Sequence, residues 1–241
     1  EWRQYLKLQP DAADRATVPL IRDGEGFREV SWDEALARAA QILRDNAADD
    51  LGILVHPSTS NEEGALLARL AEALGTGNLD HRIGQSDLSD GAIAEAFAMP
   101  VAEIEQSDAI VIVGTHLRHE VPLLHPRLRQ AVIVGGVAEN GPHAAAIRKA
   151  AADFAAAKGA KLCRIPQGAN ALGLAKHGVL PVSRDAQAML LQPRAAYVLH
   201  GIEPGLDFAD QLAALKALGG AQVVALSQFA CQSTRRVADV I

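Results

Sequence analysis

The stretch Leu51-Gly52-Ile53-Leu54-Val55-His56, followed by the turn Pro57-Ser58-Thr59-Ser60 and a helical pattern from Asn61 to Leu74, decides how the rest of the chain is read. A run this short and this uniformly aliphatic offers no face to water, so it predicts a strand covered on both sides. The polar turn and the helix that follow supply one such cover. The same unit then recurs along the chain. Further apolar runs span Asp108–Gly114, Ala131–Gly136, Ala160–Ile165, Ala195–Gly201 and Gln222–Ser227, mostly followed by helical patterns. Repetition of strand, polar turn and helix predicts an α/β fold with mostly parallel sheets flanked by helices, in Rossmann-like halves.

Outward from that stretch, residues 1–30 are expected to be irregular because Pro10, Pro19, Gly24 and Gly26 interrupt any long element. Within them Gly26–Val30 reads as a short strand. Ser31 reads as an N-cap, with Glu34 three residues on completing a capping box. The helix from Trp32 to about Asn46 places Ala35, Ala39, Ile42 and Leu43 on one face. Sequence order divides the remainder into a first α/β unit at 31–130 and a second at 131–241. Two junctions are abrupt. The helical segment His125–Gln130 meets the strand beginning at Ala131 with no connecting loop, and Pro181-Val182-Ser183 is similarly sudden. Helix-to-strand links normally take about two to six residues, so residues of a longer chain are expected to be absent at one or both places. The lack of an initiator Met and a start in mid-pattern point the same way.

Half of the residues are hydrophobic (49%), whereas aromatics make up only 4%, a mixture suited to helices packed on aliphatic strands. The net charge of -6 and the absence of any Lys/Arg run beyond Arg235-Arg236 argue against nucleic-acid binding. No apolar stretch reaches the roughly 18 residues of a membrane span, and the N-terminus has no signal-peptide core. Cys163 and Cys231 stand apart, too few for a four-thiolate iron–sulfur cluster, and read as small buried thiols.

Ligand-binding groups in open α/β sheets gather at the strand C-terminal ends, yet neither G-x-G-x-x-G nor G-x-x-x-x-G-K-[ST] occurs. The Pro57–Ser60 turn could offer amides to a phosphate, but Glu62 and Glu63 fill the first helical turn with negative charge, so it reads as a cap. Gly135-Gly136 permits close backbone approach, with Glu139 again adding an unwanted charge. His116, His119, Glu120 and His125 invite a metal hypothesis, but H-E-x-x-H would require a histidine at Leu123. A polar loop is the better reading. No catalytic residue is identified.

Taken together, several segments resemble one family. Pro19-Leu20-Ile21-Arg22 with Ser31-Trp32-Asp33-Glu34-Ala35-Leu36 is similar to the opening signature of molybdopterin oxidoreductases. Gly75-Thr76-Gly77-Asn78-Leu79-Asp80 is similar to their Gly-Thr-x-Asn-x-Asp turn. Gly84-Gln85-Ser86-Asp87, Gln167–Gly173 and Leu218–Ile241, ending in Ala238-Asp239-Val240-Ile241, resemble the form carried by the large iron–sulfur subunit of bacterial NADH-quinone oxidoreductase. Active members hold a bis-pterin molybdenum cofactor through a Cys, selenocysteine or Ser. By the resemblance Ser86 falls near that ligand position, although the family's upstream Arg is replaced by Gly84 and Asp87 adds an anion. The respiratory subunit is understood to keep the fold without the cofactor.

The resemblance therefore implies a cofactor-less structural domain in the peripheral arm of the NADH dehydrogenase (complex I). It would lie on the cytoplasmic side and be attached to the membrane only through neighbouring subunits. Its iron–sulfur clusters would lie in an N-terminal part outside this sequence. Two alternatives stand beside it: a molybdopterin enzyme of formate dehydrogenase type with Ser86 as metal ligand, and a nucleotide-binding module around Gly135. The abrupt junctions carry their own test: intact mass spectrometry of the natural polypeptide should give more than 25.4 kDa, and a mass of 25.4 kDa would refute the missing residues.

Overall fold

The computed structural model describes residues 14–46, 48–104, 106, 108–116, 120–121 and 132–241. A hairpin comes first, β1 (Leu20–Asp23) and β2 (Gly26–Glu29), turned at Gly24, whose φ of 59° is left-handed. Residues 20–29 are thus more regular than the Pro and Gly around them predict. Helix α1 (Trp32–Asp45) follows, with Ser31 Oγ accepting from the Glu34 amide at 3.2 Å. Only half of the expected capping box forms, because the Glu34 carboxylate turns to the Arg28 guanidinium instead.

The decisive stretch is strand β3 (Leu51–Val55), buried at every position. Helix α2 (Asn61–Leu74) and the short strand β4 (Leu79–Asp80) come next. After α3 (Val101–Ile104), strands β5 (Val111–Val113) and β6 (Val132–Val134) are followed by α4 (Gly136–Asn140), α5 (Ala144–Lys158) and β7 (Leu162–Arg164). The chain ends with α6 (Ala171–Lys176), α7 (Ala186–Leu191), β8 (Ala196–His200), α8 (Gln211–Gly219), β9 (Gln222–Leu226) and α9 (Gln232–Val237).

Two parallel sheets result, ordered β4-β3-β8-β9 and β5-β6-β7. The C-terminal residues extend the first sheet: Val240 bridges β9 on one side and β1 on the other. Leu20 and Ile241 exchange two backbone hydrogen bonds there, at 2.8 and 2.9 Å. Both sheets draw on residues from either side of position 130/131, since β3 pairs with β8 and β5 with β6. Parallel neighbours need a crossover between them, not a tight hairpin; four of the five pairs are consecutive strands, and β3 with β8 is the exception. The junction at His125–Ala131 lies outside the described residues. At the second junction, the Val182 and Ser183 amides both donate to the Gly77 carbonyl at 3.0 Å.

Alternation along β3 explains why its sequence is apolar throughout. Ile53 and Val55 face α1 and α2, where they meet Ile42, Leu67 and Ala71. Leu54 faces the other way, onto the layer holding Met189, Ala214 and Leu218 of α7 and α8. Gly52 leaves room for Tyr197: a Cβ there would come within 3.0 Å of its ring. The phenol donates to Met189 O at 2.8 Å. In the second sheet, cover is less complete than the apolar runs predict. β5 pairs on one side only, and Val111 and Ile112 are 40% and 46% exposed.

A buried ionic cluster pins the loop after β4 to this second sheet. Glu139 accepts from Arg148 at 3.0 Å and from Arg164 at 2.6 Å, and Arg148 also holds Asp90 at 2.6 Å. Glu139 is 1% exposed, so two guanidiniums surround the charge that weighed, in the sequence, against an anion site. Removing the carboxylate would leave both cations short of a partner. Glu139→Ala is therefore expected to lower the unfolding free energy by about 3–5 kcal/mol in urea titrations, whereas the exposed-pair variant Lys149→Ala should change it by less than about 1 kcal/mol.

Candidate functional site

The place to look for function is the row of strand C-terminal ends, and each has its own occupant. After β3, Ser60 and Glu63 form a full capping box: Ser60 Oγ accepts from the Glu63 amide at 3.2 Å, and Glu63 Oε2 accepts from the Ser60 amide at 3.1 Å. The cap reading of Pro57–Ser60 thus holds geometrically, with an internal carboxylate on the amide. Thr59 Oγ1 lies 3.1 Å from His200 Nδ1, while Glu63 Oε1 stands 3.6 Å from His200 Nε2. The segment 168–170 closes over this turn. The Asn170 side chain donates to Thr59 O at 2.7 Å, and a Cβ on Gly168 (φ +75°) would sit 2.6 Å from Pro57.

After β4, the motif residues act as struts. The Thr76 hydroxyl and the Asn78 carboxamide both donate to Leu51 O, at 2.7 and 3.2 Å, tying the turn to the start of β3. Buried Asp80 holds Arg82 through both oxygens, at 2.9 and 3.2 Å, and accepts the Ala186 amide at 3.0 Å. Ser86 comes six residues later. Its hydroxyl donates to Asn140 O at 2.7 Å. Asp87 turns away to accept from Ala145 N at 2.9 Å. At Gly84 a Cβ would fall 1.7 Å from the Gln167 carboxamide, so any side chain there requires Gln167 to move.

The strand ends of the second sheet are also occupied. One oxygen of Glu120 accepts from His116 N at 2.7 Å and the other from Gly136 N at 2.6 Å. The Gly135-Gly136 turn thus carries a protein carboxylate where the nucleotide alternative would place an anion. His119 and His125 lie outside the described residues. Among the described residues no group of three or more His, Cys, Asp or Glu side chains is placed to hold a metal ion. Cys163, on β7, is buried with Ile104, Ile133 and Ile165 as a small apolar thiol; Cys231 is half-buried with Sγ 3.0 Å from Thr234 Oγ1.

One cluster has no signature in the sequence. His81, Arg82, Gln85, Arg164 and Gln167 line a small cleft between the two sheets. His81 is 1% exposed, and its Nδ1 lies 2.7 Å from the Val179 carbonyl. A carbonyl only accepts, so Nδ1 carries the proton and Nε2 is an acceptor in the neutral ring. Among the described residues Nε2 has no partner, nor do the Oε1 atoms of Gln85 and Gln167. Burial pushes the His81 imidazole below its ordinary value of 6.5, and burial does the same to His200.

An open parallel α/β sheet with its strand ends bridged to a second sheet defines the class. Residues 15–137, just over half of the chain, match the family described as molybdopterin oxidoreductase, and the chain belongs to that family. It is 30% identical over 132 residues to a probable oxidoreductase of Bacillus subtilis, covering 50% of this chain and 13% of that one. Over 125 residues it is 33% identical to the F420-dependent formate dehydrogenase subunit alpha of Methanocaldococcus jannaschii, with 49% and 18% covered. Over 124 residues it is 33% identical to the mitochondrial NADH-ubiquinone oxidoreductase 78 kDa subunit of Neurospora crassa, with 48% and 16% covered. The chain thus spans less than a fifth of the length of these relatives.

Buried His81 and half-buried His200 give a pH dependence of known sign. Their folded-state values lie below the unfolded value near 6.5, so the unfolded chain binds protons first as pH falls. Their contribution is fully present above pH 6.5 and is lost as pH drops toward the folded values. Urea midpoints between about pH 7.5 and 5 should fall, and His81→Asn, whose amide can still donate to Val179 O, should flatten the slope. An unchanged slope would remove His81 from this account.

Proposed function

We propose that this chain is a cofactor-less structural domain of an electron-transfer assembly, the reading in which it serves the large iron–sulfur subunit of a respiratory NADH-quinone oxidoreductase. Its similarity to the 78 kDa subunit supports that reading. The similarity to formate dehydrogenase subunits favours the rival, an active molybdopterin enzyme with Ser86 as ligand.

What supports the first reading is the setting of Ser86. A metal-ligating serine offers its oxygen as an alkoxide, which needs positive charge or a metal beside it. Here the proton is engaged by the Asn140 carbonyl, and the adjacent titratable group is the carboxylate of Asp87. The cleft on which Ser86 borders holds about 190 Å³, with Ile83, Leu190, Leu191, Ala209 and Ala213 beside the polar Gln85, Gln187 and Asp210. That is less than the roughly 300 Å³ at which small-molecule pockets begin, and the one charged side chain in its lining, Asp210, would repel a pterin phosphate. The residues present do not fit a bis-pterin molybdenum group. In this reading the domain contributes shape and packing, and electrons travel through centres held by other parts of the assembly. Partners would be the neighbouring subunits of the peripheral arm, and through them a cytoplasmic station beside the membrane. No described helix is long and apolar enough to cross it.

Elemental analysis of the full-length protein by plasma mass spectrometry, read at this domain through Ser86→Ala, tests the proposal. No molybdenum or tungsten and no pterin fluorescence are expected, and S86A should leave composition and redox spectrum unchanged. Stoichiometric molybdenum lost in S86A would instead establish the enzyme.

A further inference from the structure

The small cleft between the two sheets gathers hydrogen-bond acceptors that the rest of the described chain does not answer. His81 and Gln85 reach it from the loop after β4, in the first sheet, and Gln167 from the segment after β7, in the second. Gly84 lets Gln167 in, since a Cβ there would stand 1.7 Å from the carboxamide nitrogen. His81, 1% exposed, spends its proton on the Val179 carbonyl through Nδ1 and keeps the Nε2 lone pair on the other side of the ring. That Nε2 and the Oε1 atoms of Gln85 and Gln167 are shut off from solvent, and among the described residues none receives a donor. A buried acceptor without a donor costs free energy, so three lining one small cleft point to a ligand that brings its own protons.

Size and charge narrow the ligand. Arg82 and Arg164 also border the cleft, but each is held by a carboxylate: Arg82 donates to Asp80 at 2.9 Å and Arg164 to Glu139 at 2.6 Å. An anion would meet three lone pairs there, with both guanidiniums already engaged. A hard cation prefers oxygens to an imidazole nitrogen. A transition metal would want more than one strong ligand, and among the described residues no three His, Cys, Asp or Glu side chains gather to hold one. The cleft offers about 10 Å³ to a water-sized body, about what a single water requires. Its ligand therefore donates several hydrogen bonds from one heavy atom.

We propose that this cleft binds one hydrogen-bond donor of water's size, water itself or the isosteric ammonium ion, shared between His81 Nε2 and the Gln85 and Gln167 carboxamide oxygens. Water donates to two of the three at once, ammonium to all three. Either clamps the loop after β4 to the second sheet. Ser86 does not line this cleft, so the site stands on either reading of that residue.

The test is diffraction from crystals of the full-length protein, at a resolution that shows ordered waters, grown once without ammonium and once in ammonium chloride. A peak about 2.6–3.2 Å from His81 Nε2 and from at least one of the two Oε1 atoms is expected. A peak in both crystals assigns water. One confined to the ammonium crystal assigns ammonium, and the thermal midpoint should then rise further in ammonium chloride than in potassium chloride of equal ionic strength. Gln85→Leu with Gln167→Leu leaves His81 as the one acceptor of the three, fewer partners than a buried water needs, and should abolish the peak; far-UV circular dichroism checks that this variant folds. No peak in either wild-type crystal overturns the proposal, whether or not the double variant folds. So does a carboxamide nitrogen of Gln85 or Gln167 seated directly on His81 Nε2, or a peak that the double variant leaves at full height.

Discussion

Burial of both faces of β3 is the constraint on which everything else depends. With Ile53 and Val55 set against α1 and α2 and Leu54 set against α7 and α8, the strand can exist only inside a three-layer sandwich. Each aliphatic side chain removed from water there contributes about 1.5–3 kcal/mol. Residues far apart in sequence are brought together to complete the layers. The strand supplied by Ala196–His200 pairs along the whole of β3, and Val240, near the chain's end, locks β9 to the first hairpin.

Once the layers are fixed, the strand ends must converge on one edge, which is where the family's chemistry would be found. In this chain the converging groups answer one another. Glu63 takes the Ser60 amide, Glu120 takes the Gly136 amide, and Asp80 takes Arg82 and the Ala186 amide. Gln167 packs against Gly84, so a side chain in place of the glycine would have to displace its carboxamide. Carboxylates from the protein thus hold amide positions at which an anionic ligand would compete. The contact between Gly84 and Gln167, with the Ser86 hydroxyl on Asn140, also joins the loop after β4 to the second sheet, so it stabilises the arrangement as it fills it.

Much of the fold was legible. Periodicity located β3 and β5 to β9 within a few residues, and the Pro57–Ser60 turn with Glu62 and Glu63 after it was plain as a helix start. The Leu20–Asp23 strand was hidden by Pro19 and Gly24, which mark the ends of a hairpin as readily as an irregular stretch. Division of the chain at 130/131 is invisible to the sheets because β3 pairs with β8 and β5 with β6 across it. At the strand ends, sequence could name Ser86 and Gly135 but not what would touch them: Asn140 and Glu120 are brought in by tertiary packing. Glu139 looked like a free negative charge, whereas Arg148 and Arg164 reach it from other elements. His81 and Gln167 carry no signature of the cleft they line. Family resemblance pointed to the right family because its marks, Asn78 and Asp80, are struts that the scaffold needs with or without chemistry.

The most direct measurement is anomalous diffraction at the molybdenum absorption edge from crystals of the full-length protein. The account expects no anomalous peak in bonding range of Ser86, with its hydroxyl still donating to Asn140. A peak bonded to the Ser86 oxygen, and that hydrogen bond broken, would contradict it.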